Sequence, residues 1–260
     1  MVVNNKIVFI TGATSGIGKA TAGVFAENNF SLILCGRREE RLNELKGDLQ
    51  TKFGVDVQML SFDIRNADAC AEAWNSLPSA WKKVDILINN AGLAKGLAPL
   101  HQGDHDHWET MIDTNVKGLL YISRLISPGM VKRKSGHIVN VCSTAGHETY
   151  PMGNVYCATK HAVDALTKSM RLDFYKFGLK VSQVSPAHVE ETEFALNRFD
   201  GDNNKAKIYE DFNPLKSEDV ANAIFFICNQ PPHVNIQDIL MMGTQQAGSN
   251  FIDRSGRIFD

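Results

Sequence analysis

Cysteine is scarce in this sequence, and long hydrophobic runs are missing. The five cysteines among 260 residues have no C-x-x-C spacing, so neither a disulfide framework nor a zinc knuckle is indicated. Free thiols are typical of a reducing compartment. No apolar run approaches the about 18 residues of a membrane span, and the first residues lack the features of a secretory signal peptide. We therefore expect a cytoplasmic protein that has no membrane partner.

An excess of charge of one sign is also missing. Lysine and arginine number 27, aspartate and glutamate number 29, and the formal net charge is −2. A chain this close to neutral has no general attraction to nucleic acid or to anionic lipid, so no nucleic-acid partner is expected. The hydrophobic share of 43% and the charged share of 22% are ordinary for a globular protein and exclude a disordered one.

Short apolar runs alternate with longer amphipathic stretches along the chain, which predicts a parallel sheet with helices on both faces. Right-handed crossovers then give a single doubly wound α/β domain of the Rossmann type, with about seven strands, over the whole of residues 1–260. The predicted strands are Lys6–Thr11, Ser31–Gly36, Val55–Leu60, Val84–Asn89, His137–Cys142, Leu179–Val184 and Ile236–Met241. The predicted helices are Gly16–Asn28, Glu39–Lys52, Asp68–Leu77, Trp108–Lys134, Val155–Phe177 and Glu218–Cys228. The irregular stretch Ala187–Pro214 is predicted to be a substrate loop at the carboxyl edge of the sheet, where open α/β sheets bind ligands.

Glycines cluster directly after the first predicted strand, in the pattern G-x-x-x-G-x-G. Glycine permits a tight turn and lets the backbone approach a pyrophosphate, and the following helix presents free N–H groups and a partial positive charge. An ordinary strand-to-helix turn is the alternative, but the position after the first strand of a βαβ unit favours a nucleotide site. The residues of this predicted site are Gly12, Thr14, Ser15, Gly16, Ile17 and Gly18.

Two arginines follow the second predicted strand. A site for NAD needs an acidic residue there to hold the ribose 2′-hydroxyl. The sequence has Cys35-Gly36-Arg37-Arg38 instead, and guanidinium groups bind phosphate oxygens in a bidentate manner. The alternative is that both arginines are solvated charges at a helix start. We interpret Arg37 and Arg38 as ligands of a 2′-phosphate, so NADP is the expected cofactor.

A tyrosine and a lysine lie one helical turn apart in the fifth predicted helix. Tyr156 and Lys160 share one helix face. Free tyrosine has a pKa of about 10, and an ammonium beside it favours the phenolate, so Tyr156 is a candidate general acid and base. Ser143, at the end of the fifth strand, can hydrogen-bond the reacting oxygen. Asn115 either faces solvent from a helix or kinks that helix and holds a water near Lys160.

The order and spacing of these residues resemble the short-chain dehydrogenase/reductase superfamily over essentially the whole chain. The motifs that carry the resemblance are Thr11–Gly18, Asn89–Gly92, Asn115, Ser143, Tyr156 and Lys160. The resemblance implies a catalytic triad of Ser143, Tyr156 and Lys160, with Asn115 as the fourth member. Tyr156 and Lys160 are also implied to contact the cofactor, Lys160 through the nicotinamide ribose. Further implied cofactor contacts are Asp63, Ile64, Asn90, Ala91, Gly92, Pro186, Ala187, Val189 and Thr192. A homotetramer is implied as well, with the helices before strands six and seven packed between subunits.

Further motifs resemble one subgroup, the NADP-dependent 3-hydroxy acid dehydrogenases, also called serine or L-allo-threonine dehydrogenases. These motifs include Gly36–Arg38, Met111–Asn115, Gly153–Tyr156, Thr192–Phe194 and Arg198–Phe199. The implied substrates are serine, L-allo-threonine and 3-hydroxyisobutyrate, or malonic semialdehyde in the reverse direction. Ser143 and Tyr156 would contact the substrate, and Arg198 is either a clamp for its carboxylate or a surface charge. Two alternatives stay open, a reductase of a sugar, steroid or diketone and a non-catalytic NADP-sensing protein.

The loop after the sixth strand departs from the superfamily pattern. Ala187 stands where the family usually has glycine, in a loop that contacts the nicotinamide. Alanine lacks the easy access of glycine to positive φ. The departure therefore bears on the cofactor contacts of this loop.

No metal site is predicted. His101, His105 and His107 lie close together with Asp104 and Asp106, which are possible ligands by type. No partnering cluster follows elsewhere in the sequence. The segment is interpreted as a solvated loop that opens the next helix.

Overall fold

The computed structural model of the protein describes residues 6–190, 192–202, 204 and 211–256. Seven parallel strands form one sheet in the order β3-β2-β1-β4-β5-β6-β7. The strands are β1 Ile7–Thr11, β2 Ser31–Gly36, β3 Val57–Ser61, β4 Val84–Asn89, β5 His137–Val141, β6 Lys180–Pro186 and β7 Asp238–Met241. The strand order reverses between β1 and β4, and such a reversal opens a crevice at the carboxyl ends of the strands. The predicted Rossmann-type domain is confirmed.

Helices cover both faces of the sheet. They are α1 Gly16–Glu27, α2 Glu39–Phe53, α3 Ala67–Ser76, α4 His105–Ile112, α5 Leu119–Arg133, α6 Asn154–Phe174, α7 Phe194–Arg198 and α8 Ser217–Cys228. Within the part of the chain that the structure describes, no helix combines the length and the apolar character that crossing a membrane requires.

The central strands are buried on both sides because their side chains alternate between two helical layers. Val8 and Ile10 of β1 belong to an apolar cluster that includes residues of α1, α2 and α8. Phe9, which lies between them, packs in a second cluster with residues of α3, α5 and α6. All three side chains are at most 1% exposed. This arrangement explains why the strands have nearly continuous apolar sequences.

The stretch predicted as one helix over Trp108–Lys134 is not uniform. The structure divides it into α4, a π-helical turn at Asp113–Gly118 and α5. A π turn inserts an extra residue into a helix and redirects the side chains next to it. The prediction of one unbroken helix is wrong, because a π turn interrupts it at Asn115.

The substrate loop and the segment after β7 both contain secondary structure that the sequence did not predict. The predicted substrate loop contains α7, and Val189 forms a bridge with Leu215. Residues 191, 203 and 205–210 of that loop lie outside the described residues. A short antiparallel hairpin, β8 Gln246–Gly248 and β9 Phe251–Ile252, follows β7 and has no counterpart in the sequence predictions.

Candidate active site

A cavity of about 660 Å³ opens at the carboxyl ends of the strands. Its volume is in the range of pockets that hold small molecules or cofactors. All of the predicted site residues line it except Gly18 and Asn115. The sequence therefore predicts the wall of this cavity from segments that lie far apart along the chain.

The glycine turn between β1 and α1 forms one end of the cavity. Gly12 and Gly16 have φ angles of +66° and +50°, which side chains other than glycine rarely tolerate. A Cβ at Gly18 would lie 2.3 Å from the carbonyl oxygen of Gly12, so only glycine fits. The Asn90 side chain donates to the carbonyl oxygens of Thr11 at 2.8 Å and of Gly12 at 3.2 Å. Asn90 therefore fixes the turn against the end of β4.

The arginines after β2 stand at the rim of this turn. Arg38 donates from Nη2 to the hydroxyl oxygens of Thr14 at 2.8 Å and of Ser15 at 3.1 Å. Its Nη1 donates to both carboxylate oxygens of Glu193, at 2.9 and 2.7 Å. Arg37 lines the same cavity. The two predicted phosphate ligands and the glycine turn are thus parts of one surface.

Asp63 and Ile64 line the cavity beyond the end of β3. The Asp63 carboxylate pairs with Arg65 at 2.7 Å. The hydrogen bond from Arg65 holds the pKa of the Asp63 carboxyl below its usual value. Asp63 is therefore an anion at neutral pH and accepts hydrogen bonds.

Ser143, Tyr156 and Lys160 come together in the middle of the cavity. Ser143 directly precedes a 3-10 turn after β5, and Tyr156 and Lys160 project from the first two turns of α6. The Lys160 ammonium donates to the carbonyl oxygen of Val141 at 2.9 Å and lies 5.9 Å from the centre of the Tyr156 ring. All three triad residues are at most 8% exposed. The structure brings together the residues on which the catalytic hypothesis depends.

Burial controls the titration of this group. It raises the pKa of the Tyr156 hydroxyl above its usual value, although a hydrogen bond from Ser143 and the charge of Arg198 act in the opposite direction. Burial also lowers the pKa of the Lys160 ammonium. The sequence argument considered only the ammonium, which favours the phenolate, and not the burial of the phenol, which raises the pKa. The desolvation of the phenol outweighs the neighbouring positive charges.

Asn115 lies on the π turn, behind the cavity wall, and is 2% exposed. Its Oδ1 accepts from the Leu93 amide at 2.8 Å, and its Nδ2 donates to the Leu93 carbonyl at 2.9 Å and to the Thr159 hydroxyl at 3.0 Å. The interpretation as a solvent-facing residue is thus excluded. Asn115 joins the loop after β4 to the helix that carries Tyr156 and Lys160.

Arg198 is a buried cation beside the triad, with 7% of its surface exposed. Its guanidinium carbon lies 5.6 Å from the ring centre of Tyr150 and 5.2 Å from those of Tyr156 and Phe194. Its Nη2 donates to the Tyr150 hydroxyl at 2.5 Å. The interpretation as an ordinary surface charge is wrong. Sequence reasoning missed Tyr150, which follows no motif and reaches Arg198 only through the fold.

The loop after β6 closes one side of the cavity. Ala187 is not among the residues with positive φ, and its amide donates to the carbonyl oxygen of Met241 at 2.9 Å. The exchange of glycine for alanine therefore causes no strain. Thr192 lies over the glycine turn, since a Cβ at Gly16 would be 3.0 Å from its methyl carbon. Pro186 and Val189 line the cavity on either side of Ala187.

The histidine-rich segment opens a helix, as predicted. The Asp104 carboxylate accepts hydrogen bonds from the amides of Asp106 at 2.8 Å and His107 at 3.2 Å and so caps α4. The His107 ring also lies 3.3 Å from the carboxylate of Asp200. These contacts give Asp104 and His107 structural roles.

Comparisons with known proteins agree with this site. A model of the short chain dehydrogenase family matches residues 6–203. An NADP-dependent 3-hydroxy acid dehydrogenase, YdfG of Salmonella typhi, is 45% identical over 93% of this chain and 96% of the relative. Sulfoacetaldehyde reductase 2 of Chromohalobacter salexigens is 43% identical over 96% of this chain and 99% of the relative. The closed form of a serine dehydrogenase complexed with NADP+ has a TM-score of 0.89 at 42% identity, over 93% of this chain and 96% of that chain. The protein belongs to the short-chain dehydrogenase family.

Proposed function

We propose that the protein is an NADP-dependent oxidoreductase that acts on the 3-hydroxyl carbon of small 3-hydroxy acids. The substrates are serine, L-allo-threonine, 3-hydroxyisobutyrate, or malonic semialdehyde in the reverse direction. The buried Arg198 guanidinium, 5.2 Å from the ring of Tyr156, carries this proposal. A 3-hydroxy acid has its carboxylate two carbons from the reacting carbon, so a cation beside the proton-transferring phenol matches both ends of the molecule.

NADP fits the residues present. The glycine turn and the first N–H groups of α1 suit a pyrophosphate, and Arg38, held by Thr14 and Ser15, suits a 2′-phosphate. The Salmonella relative is named NADP-dependent, and the serine dehydrogenase structure is an NADP+ complex, which supports the same choice. When bound, NADP supplies the hydride acceptor or donor.

The residues of the chain supply the proton chemistry. Ser143 would hold the reacting oxygen, and Tyr156 would give a proton to it or take one from it. Since burial raises the pKa of Tyr156, its hydroxyl is protonated in the free protein and ready to donate during carbonyl reduction. Lys160, fixed by the Val141 carbonyl, would orient the ribose of the cofactor. Asn115 would keep α6 in register with the loop after β4.

A substrate panel tests the proposal. Rates are measured for serine, L-allo-threonine, 3-hydroxyisobutyrate and malonic semialdehyde, each with NAD(H) and with NADP(H). We expect turnover that prefers the phosphorylated cofactor. Sulfoacetaldehyde is included because the Chromohalobacter relative carries that name and a sulfonate is also an anion. Turnover of neutral sugars, steroids or diketones with no turnover of the acids would contradict the proposal.

Replacement of Tyr156 by phenylalanine separates an enzyme from an NADP-sensing protein. Tyr156→Phe removes the proton donor and keeps the ring, so kcat falls by at least about 100-fold while the affinity for NADPH changes little. Steady-state rates and a fluorescence titration with NADPH measure the two effects. Tyr175→Phe is the matched control, because Tyr175 is 60% exposed beyond α6. Equal turnover in Tyr156→Phe and in the wild type would refute the assignment.

We also propose a homotetramer in the cytoplasm. The helices expected between subunits, α6 and α8, expose Leu172 at 74% and Phe226 at 55%. Apolar patches on a surface are typical of faces that bind another chain, and these side chains would contribute to such a face. The five cysteines are all free thiols, which suits a reducing compartment.

A further inference from the structure

A carboxylate from the substrate loop lies on the arginines at the cofactor end of the cavity. Glu193 accepts from Nη1 of Arg38 at 2.9 and 2.7 Å and from Nη1 of Arg41 at 2.6 Å. Arg41 comes from the first turn of α2, and Glu193 directly precedes α7. Glu193 therefore ties the substrate loop to the helix that follows β2.

The position of this carboxylate is set by the other half of Arg38. Nη2 of that guanidinium is held by Thr14 and Ser15 of the glycine turn, so Nη1 is fixed at the rim of the same turn. Arg38 is the guanidinium at this rim that our proposed function gives to the 2′-phosphate of NADP. The inference below rests on that assignment.

We infer that Glu193 tunes cofactor specificity, because its carboxylate occupies the guanidinium of Arg38, which the proposed function gives to the 2′-phosphate. NADP binding then exchanges Glu193 for the phosphate on Arg38, and the contact of Glu193 with Arg41 is lost with it. NAD has no group for this exchange and leaves the ion pairs intact. Glu193 therefore lowers the affinity for NADP and not that for NAD.

The larger charge of the phosphate favours its exchange with Glu193, but the ion pairs of Glu193 must be broken for it. A phosphate monoester carries about −1.5 to −2 charge at pH 7 and three acceptor oxygens, against one negative charge and two oxygens for Glu193. The side chains of Arg38, Arg41 and Glu193 are 39%, 46% and 31% exposed, so water screens the ion pairs. Partial burial raises the pKa of the Glu193 carboxyl, but the hydrogen bonds from Arg41 and Arg38 outweigh it and hold the pKa below its usual value. The Glu193 carboxylate, which competes with the phosphate, is thus charged at neutral pH.

When the Glu193 contacts are lost, the rest of the substrate loop around α7 stays attached to the loop after β4. The Gly96 amide donates to the Arg198 carbonyl at 2.8 Å, and the Lys95 ammonium pairs with Asp200 at 2.5 Å. A substitution at Glu193 therefore acts on the phosphate end of the cavity while α7 stays anchored. This makes cofactor binding a direct measure of the competition.

The experiment is the substitution Glu193→Gln in the full chain. Dissociation constants for NADP and NAD are measured by calorimetry, with adenosine 2′,5′-bisphosphate and 5′-AMP as probes of the adenosine end alone. We expect Glu193→Gln to bind NADP and the bisphosphate about 3- to 10-fold more tightly, since two partly exposed ion pairs are lost as competitors. The constants for NAD and 5′-AMP stay within about twofold of the wild type, because neither ligand carries the phosphate that competes.

Glu190→Gln is the matched control. It removes the same charge from the same loop, and in the described part of the chain Glu190 forms no ion pair with Arg38 or Arg41. We expect wild-type constants for it. A gain in NADP affinity that is equal in both variants reflects general charge and overturns the inference, as does unchanged or weaker NADP binding by Glu193→Gln.

Arg38→Ala distinguishes the proposed placement of the 2′-phosphate from the competition by Glu193. It should weaken NADP more than NAD and abolish the effect of Glu193→Gln in the double variant, because the two side chains act on one contact. If Arg38→Ala leaves the preference between NADP and NAD unchanged, the proposed cofactor placement fails and this inference fails with it. If Arg38→Ala reduces the preference and Glu193→Gln does not tighten NADP, only the inference about Glu193 fails.

Discussion

At the scale of single residues, Arg198 combines a full charge with an almost closed environment. Its guanidinium lies among three aromatic rings and is hydrogen-bonded to Tyr150. Aromatic faces attract a cation, and the N–H groups of a guanidinium bind carboxylates. Under the proposed function, this position next to Tyr156 would select substrates that carry a negative group.

The substitution Arg198→Gln tests this selection. We expect the KM for a 3-hydroxy acid to rise about 10- to 100-fold, the usual effect of losing a hydrogen bond to a charged group. The KM for the methyl ester of the same acid changes much less, because the ester has no charge to pair. Tyr150→Phe is the matched variant, since it removes a partner of Arg198 and keeps the charge. Equal increases for the acid and the ester would mean that Arg198 only packs against the rings.

The predictability of the site differs from residue to residue. Ser143, Tyr156 and Lys160 follow a spacing along the chain, and parallel strands bring their ends to one edge, so the sequence predicts their meeting. The contact between Glu193 and Arg38 joins positions 155 residues apart. It depends on how the substrate loop lies over the sheet, which no local pattern records. Tyr150 could not be predicted for the same reason.

At the scale of elements, apolar runs predicted all seven strands. Burial on both faces requires such runs in the central strands, whereas β7 lies at the sheet edge and stays partly exposed. The π turn at Asp113–Gly118 was not predicted, because its residues continue the helical pattern of the segments on both sides. Its extra residue is stabilised by the side-chain contacts of Asn115 with Leu93 and Thr159. Local periodicity in the sequence does not indicate such long-range hydrogen bonds. The β8–β9 hairpin was not predicted, because its strands are too short to show an alternation of apolar and polar residues.

Strand β5 contains a titratable group at its buried start. His137 is 4% exposed and shares a hydrogen bond of 2.8 Å with the Ser182 hydroxyl of β6. Burial lowers the pKa of its imidazole to about 3, so the folded protein keeps His137 neutral. The unfolded chain has a histidine pKa of about 6.5 and takes up a proton first. Stability is therefore full above pH 6.5 and falls as the pH drops from there toward 3.

We expect this histidine to destabilise the protein by about 2 kcal/mol between pH 7 and pH 5. Urea unfolding at both pH values and one protein concentration measures the change in the free energy of unfolding. His137→Gln, which cannot titrate, should lose correspondingly less over the same interval. His233→Gln is the control, because His233 is exposed before β7. Parallel losses in the wild type and His137→Gln would exclude this histidine as the cause.

At the scale of the whole molecule, the surface is as informative as the cavity. The apolar side chains of Leu172 and Phe226 project from α6 and α8, and β7 ends the sheet with Leu240 49% exposed. An edge strand next to apolar helix faces suits the proposed pairing with another copy. The α/β fold and its layers could be predicted from the alternation of strands and helices, whereas the proposed tetramer rests on the family resemblance.

Sedimentation at micromolar concentration tests the tetramer. We expect a species of four chains of 28.8 kDa each. Phe226→Glu and Leu172→Glu place a charge in an apolar contact and should give smaller species with an unchanged circular dichroism spectrum. Leu100→Glu, at a residue that is 63% exposed on the loop before α4, should sediment as the wild type. A wild-type monomer at this concentration would overturn the assembly.

The anchors of the substrate loop differ in kind, and this has a practical consequence. Glu193 and Asp200 are held by partly exposed ion pairs, whereas Arg198 is held through its backbone to Gly96. Salt weakens partly exposed ion pairs, so we expect it to act on these contacts and little on a backbone hydrogen bond. Ionic strength therefore loosens the two ends of the segment and leaves its middle in place. Michaelis constants for the dinucleotide can be compared only between assays that contain the same salt.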